Sequence, residues 1–250
     1  MTDQLRKIVE ARNPDRVQCH GPPPPPLKRA LTSAADAIDP PTLRLVGNEK
    51  PKETAAEYDV NAHLIACGAP LRQVQTEVFG SEPAWSTWLN KAEALMGAGA
   101  IVVLFGSRGS GKTQIACELM RRRLMQRWRM PREQREKFPC PRYVHVMDFF
   151  LSIRRAYSEE GVSETEQIQA MTKPSLLVID EIHERGETEW EDRMLRHVID
   201  KRYGAKLDTV LIGNKDGETL MKSMGLSVAS RIDECGDFIE CMGVNWRTKA

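Results

Sequence analysis

Eight consecutive residues constrain this chain more than any others. Gly106, Ser107, Arg108, Gly109, Ser110, Gly111, Lys112 and Thr113 directly follow the apolar run IVVLF, residues 101–105. They precede a helix-like run from Gln114 to Arg127. The spacing G-x-x-x-x-G-K-[ST] between a buried strand and a helix is that of a cradle for polyphosphate. Its glycines let the backbone turn tightly, so that consecutive amides point into one concavity. The helix start adds the positive end of its dipole. On this reading residues 106–114, Gln114 included, surround the phosphates of ATP. Lys112 reaches the β- and γ-phosphates, and the Thr113 hydroxyl ligates Mg2+. A structural turn is the competing reading, but a chance match in a chain of this composition is about a one per cent event.

Such a loop needs a second carboxylate site, and "SLLVIDEIHERG" supplies it. Four apolar residues lead into Asp180 and Glu181 at a strand end. Asp180 is expected to hold the magnesium ion through water, and Glu181 to polarise the water that attacks the γ-phosphate. An acidic pair at a strand end is, alone, more often a solvated turn; the upstream loop shifts the balance to catalysis. Asn214 closes the strand "TVLIGN", where a strand between the other two would present a polar side chain to the γ-phosphate. The competing role for Asn214 is to cap the helix "DGETLMKSMG".

Around these motifs, buried-strand runs alternate with helical periods. "YVHVM" (143–147), "LLVID" (176–180), "TVLIGN" (209–214) and "DFIEC" read as strands. "DFFLSIRRAY" and "EWEDRMLRHVIDKRYG" read as helices between them. Continuous apolar strands separated by helices predict an α/β fold with a parallel sheet covered on both faces. Upstream, "SEPAWSTWLNKAEALMG" puts Trp85, Trp88, Leu89 and Ala92 on one helical face, with Ser81 as cap and Gly97 as terminator; that face predicts core packing.

Two regions of the chain differ in character. Nine of fifteen prolines fall at or before Pro51, five of them in "GPPPPPLKRA". A polyproline run lacks amide donors and is expected to be an extended, solvated spacer. Residues 1–55 are therefore read as a flexible Pro-rich tail or partner-docking segment, and 56–250 as the folded domain. The N-terminus lacks an apolar core long enough for a signal peptide, and the chain has no apolar run of membrane-spanning length, so no membrane role and a cytoplasmic location are expected. A net charge of +1 announces no general affinity for nucleic acid. The six cysteines include no C-x-x-C pair. Reduced, mostly buried thiols are the expectation, with zinc at Cys19-His20 the weaker alternative.

Taken together, Asp180-Glu181, Asn214 and the late Ser-Arg in "ASRID" resemble an AAA+ P-loop ATPase. More narrowly, they are similar to DnaC-type helicase loaders and their relatives, the IstB-type transposition ATPases. The resemblance covers about residues 60–250, including "PAWSTWLNKAEALMGAGAIVVLFGSRGSGKT", "LLVIDEIHERGETEWEDRMLRHVIDKRY" and "MGLSVASRIDECGDFIECMGVNWR". It implies a strand order of 5-1-4-3-2 and ATP-dependent self-association into an AAA+ oligomer on a replicative DNA helicase or single-stranded DNA. It also implies that Arg231 is the arginine finger entering a neighbour's ATP site, a role worth roughly 10³ to 10⁵ in rate. Ser227 stands where many loaders carry a second arginine. The chain ends 19 residues after Arg231, so no C-terminal lid domain is expected, and hydrolysis is expected to be slow.

Nine Lys or Arg and two acidic residues lie between Arg121 and Arg142. With Trp128, Tyr143, Phe149 and Phe150 nearby, this stretch is a candidate for single-stranded DNA; a solvated basic helix end is its alternative. Arg154 and Arg155 lie where related initiators carry single-strand contacts. Three other functions compete with helicase loading: an IstB-type helper of transposition, a nucleotide-gated adaptor that does not hydrolyse, and a small-molecule kinase. The last would need an acceptor pocket and lid arginines, for which the sequence offers no clear candidate.

Overall fold

The computed structural model describes residues 58–76, 83–158, 163–186, 188–243 and 245. The tail expected over residues 1–55, the Cys19-His20 pair and the Ser81 cap lie outside them.

Five strands form one parallel sheet: β1 (Ile101–Phe105), β2 (Arg142–His145), β3 (Leu176–Asp180), β4 (Asp208–Ile212) and β5 (Asp237–Glu240). Their spatial order, β2-β3-β4-β1-β5, is the expected 5-1-4-3-2 read from the other edge. Val102 pairs with Val210 and Leu104 with Ile212, while Val178 pairs with Val210 on the other side of β4. Each strand needs both faces covered, because successive residues point to opposite sides. Val102, Leu104, Val178 and Val210 pack on one side against Trp85, Leu89, Ile115, Leu119 and Leu124. Ile101, Val103, Leu177, Ile179 and Leu211 pack on the other against Phe149, Phe150, Ile153, Leu195 and Ile232. Each such fully buried side chain contributes about 1.5–3 kcal/mol.

The helix Glu189–Gly204 shows the local logic clearly. Thr188 accepts the Glu191 amide as cap, Glu189, Glu191 and Asp192 fill the first turn, and Lys201 and Arg202 the last. This matches charge to the helix dipole at both ends. Near its end Arg202 is fully buried. Its guanidinium donates to Thr209 Oγ1 at 2.9 Å, Met171 O at 3.0 Å and Pro174 O at 2.9 Å, and also to the Asp208 carbonyl. Burial pulls its pKa down, and the neighbouring Asp208 pulls it back up. Asp208 in turn accepts the Gly97, Gly99 and Ala100 amides at 2.8–3.0 Å and pairs with Arg123. One buried polar cluster thus fixes the start of β4 and the turn entering β1.

Two sequence readings are corrected. The strand read through Met147 ends at His145, and Val146–Ser158 is helix. His145 is the last residue in register with β3, opposite Asp180, and Asp148 in the first turn favours the helix. In that helix Phe149 and Phe150 are buried core residues, as is Tyr143 on β2, so none of the three can stack on a base. Only Trp128 of the four aromatics is exposed, and its ring already stacks on Tyr58 at 4.3 Å and meets the Arg135 guanidinium at 4.6 Å. Among the described residues, no helix is long and apolar enough to cross a membrane.

Candidate functional site

The C-terminal ends of β1, β4 and β3 lie side by side, and the expected site residues collect there. After β1 the chain turns through Gly106, Gly109 and Gly111, all at positive φ. Gly106 is required sterically, because its neighbour is backbone, whereas Gly109 faces only the end of an exposed side chain and is favoured by its φ of 81°. A Cβ on Gly106 would sit 2.5 Å from the Cys241 carbonyl oxygen, and one on Gly109 would sit 2.0 Å from Asn245 Oδ1. Gly111 then serves as left-handed cap for the helix Lys112–Arg129, which begins two residues before the sequence expectation.

Lys112 is 4% exposed. Its ammonium donates to Gly106 O at 3.0 Å and Ser107 O at 2.7 Å, so the side chain arches over the loop it follows. Ser107 and Arg108 are exposed, whereas Ser110 is buried. Gln114 turns away: its side-chain amide donates to Gln73 O at 3.0 Å and so ties the helix Leu71–Gln75 to the loop.

Thr113 Oγ1 donates to Asp180 Oδ2 at 2.9 Å. Asp180, at the end of β3, is 3% exposed and is held by two further donors. The Tyr143 hydroxyl reaches Oδ2 at 2.5 Å, and the Glu181 amide reaches Oδ1 at 2.7 Å. Burial first, and the adjacent Asp180 charge second, push the Tyr143 hydroxyl pKa up, so it remains a proton donor. Tyr143 was assigned to stacking by the sequence reading; pairing of β2 with β3 puts it behind the carboxylate instead.

Glu181 adopts φ 57° and ψ 38°. A non-glycine residue in the left-handed region is uncommon and costs of order 1–3 kcal/mol, which the surroundings must offset. Asn214 Nδ2 donates to Glu181 Oε2 at 2.7 Å, and His183 Nε2 lies 3.3 Å from the same oxygen. The Asn214 amide donates to His183 Nδ1 at 3.3 Å. Asn214 is not a helix cap, because Asp216 accepts the Thr219 amide in that role. His183 was not singled out in the sequence; its only signal is its position two residues past Glu181.

Arg231 is on the helix Leu226–Cys235, paired with Asp200 of the helix Glu189–Gly204 and packed over the Tyr203 ring. It is not among the residues gathered at the strand ends of its own chain. Among the described residues Glu181, His183 and Glu184 also offer ligand atoms within 4.8 Å of one another, but Glu184 is exposed and Glu181 already accepts from Asn214.

The geometry is that of a nucleotide-binding P-loop domain, and comparisons with known proteins agree. A family model described as IstB-like ATP binding protein matches residues 91–225. The replicative helicase loader DnaC of Escherichia coli strain K12 is 23% identical over 158 residues, which cover 63% of this chain and 60% of that protein. The chain thus spans about 60% of the length of the curated relatives it matches. Among solved structures, domain III of the Thermotoga maritima replication initiation protein DnaA aligns with a TM-score of 0.53 at 15% identity, covering 66% of this chain and 65% of that one. A structure of DnaI aligns with a TM-score of 0.51 at 18% identity, covering 71% and 94%. These two likenesses are likenesses of fold.

Proposed function

We propose that this chain, which belongs to the family of IstB-like ATP binding proteins, is an ATP-dependent loader that places a replicative helicase on DNA. The observation that carries the nucleotide chemistry is the convergence of Lys112, Thr113–Asp180 and Glu181–Asn214 at three adjacent strand ends. The similarity to DnaC supports loading as the use to which it is put.

The donor set fits a hard divalent cation: a hydroxyl and a buried carboxylate stand 2.9 Å apart. Thr113 and, through water, Asp180 would hold Mg2+, which when bound neutralises charge on the phosphate oxygens. Lys112 and the amides of residues 106–113 bind the triphosphate. Glu181 accepts the proton of the attacking water as the bond from the γ-phosphorus to the ADP oxygen breaks, and Asn214 donates to the γ-phosphate. Arg231 acts on the nucleotide of an adjacent subunit, so ATP bridges subunits and slow hydrolysis loosens them. Residues 1–55 dock the helicase, and residues 56–250 form the ATPase domain.

The test is copurification of the full-length chain with a replicative helicase, with and without ATP. ATP-dependent capture of the helicase is expected, and loss of hydrolysis with retained ATP binding in Glu181→Gln. The family model's own description favours a second reading, an ATPase helper of transposition; capture of a transposase and not a helicase would select it. Unchanged hydrolysis in Glu181→Gln would remove the assignment of the base.

A further inference from the structure

We infer that His183 is a positioning residue for the hydrolytic step: it holds Glu181 in place through Nε2 while the main chain of Asn214 fixes its tautomer through Nδ1. The inference rests on the reading of Glu181 as the base, and adds a residue that neither the sequence motifs nor the family match assigns.

A neutral imidazole carries one proton, and the partner of one nitrogen decides where it sits. Nδ1 faces the Asn214 N–H at 3.3 Å and therefore acts as acceptor. The proton is left on Nε2, the atom 3.3 Å from Glu181 Oε2. The ring is 10% exposed and the Glu181 side chain 27%, so the contact is half-buried.

The reason for a second hold on Glu181 lies in Asn214. Its side-chain amide donates to Glu181 at 2.7 Å, yet the same amide is the group proposed to meet the γ-phosphate. His183 is anchored by the Asn214 main chain, not its side chain, so its contact with Glu181 persists when that amide turns to phosphate. Both contacts fall on Oε2, which assigns proton acceptance to Oε1. The left-handed backbone of Glu181 makes such an anchor necessary, because a carboxylate on a strained turn has no regular element to orient it. Misplacing a reacting group by about 1 Å can cost 10²-fold in rate.

Two substitutions separate the two nitrogens. The amide nitrogen of glutamine reaches about as far as Nε2, and the amide of asparagine about as far as Nδ1. His183→Gln is expected to keep kcat within about threefold, whereas His183→Asn and His183→Ala lower kcat roughly tenfold, with the KM for ATP and nucleotide affinity unchanged within twofold. Wild-type kcat in His183→Asn, or a loss in His183→Gln as large as in His183→Asn, would overturn the inference while leaving Glu181 as base. Unchanged hydrolysis in Glu181→Gln alone would overturn the base assignment and this inference with it. Thermal melting of each variant identifies a folding defect, and the Gln-against-Asn order decides the question even if His183→Ala unfolds.

Discussion

Arg231 places Nη2 3.1 Å from Asp200 Oδ1, across two helices of the same chain. The guanidinium also stands 5.4 Å above the Tyr203 ring, and the two partners of the ion pair are 25% and 39% exposed. Arg231 Nη1 also donates to Ser227 O at 2.7 Å and to Ser227 Oγ, so its own helix holds the side chain alongside this half-buried ion pair. Reaching a neighbour's nucleotide requires these contacts to be exchanged for contacts with its phosphates. We expect Arg231→Ala to lower hydrolysis by about 10³-fold or more while ATP affinity of the isolated chain stays within about threefold. Mixing Arg231→Ala with Lys112→Ala subunits should restore part of the activity, since each supplies what the other lacks. A mixture as inactive as its parts would count against an inter-subunit role.

Tyr143→Phe removes the hydroxyl that meets Asp180 at 2.5 Å and keeps the ring in its buried place. Partners of metal-holding carboxylates are typically worth 10- to 100-fold in metal affinity or activity. The Mg2+ concentration for half-maximal hydrolysis should therefore rise about tenfold, read by titrating the ion at saturating ATP. No change would mean that Thr113 and the Glu181 amide suffice to orient the carboxylate.

Cys140 differs from the other described cysteines. A hydrogen bond from the Cys67 thiol lowers its pKa, helped by the charges of Arg127 and His63 and opposed by partial burial, to about 6. Burial pushes Cys117 and Cys241 up to about 12. Because the thiolate is the reactive form, alkylation of Cys140 by iodoacetamide should rise with pH to a midpoint near 6, and Cys117 and Cys241 should stay unlabelled at neutral pH. Peptide mass spectrometry across pH 5–9 checks this, and a Cys140 midpoint near the ordinary thiol value would refute it.

Arg202→Ala leaves the carbonyls of Met171, Pro174 and Asp208 without their buried donor. Removing one member of a buried charged cluster costs about 3–5 kcal/mol, so a large drop in the denaturant midpoint is expected. A midpoint within experimental scatter of wild type would show that water replaces the guanidinium.

The phosphate loop and the Asp180-Glu181 pair were legible because their signals are local, a fixed spacing and a strand end, and the parallel sheet because strand and helix periods alternate; the strand order was implied only by the family resemblance. The buried fate of Phe149 and Phe150 was legible in principle, since Val146, Phe149, Phe150 and Ile153 follow helical spacing and all are buried. Tyr143 and Asp200 could not be read this way. Their partners, Asp180 and Arg231, lie some 30 or more residues away along the chain, and only sheet register and helix packing bring them together. His183 lies close in sequence to Glu181, but its role depends on Asn214, 31 residues on. The helices Val60–Ala66 and Leu71–Gln75 escaped notice because five to seven residues are too few to display a period.

Gly106 leaves no room for a side chain between the phosphate loop and the carbonyl of Cys241, just beyond β5. Cys241 also donates its amide to Phe105 O at 2.7 Å, and among the described residues β5 is the edge strand, paired with β1. Loop and rim are thereby clamped into one mechanical piece. A shift of the first loop residue toward Cys241 is sterically blocked unless the end of β5 yields with it.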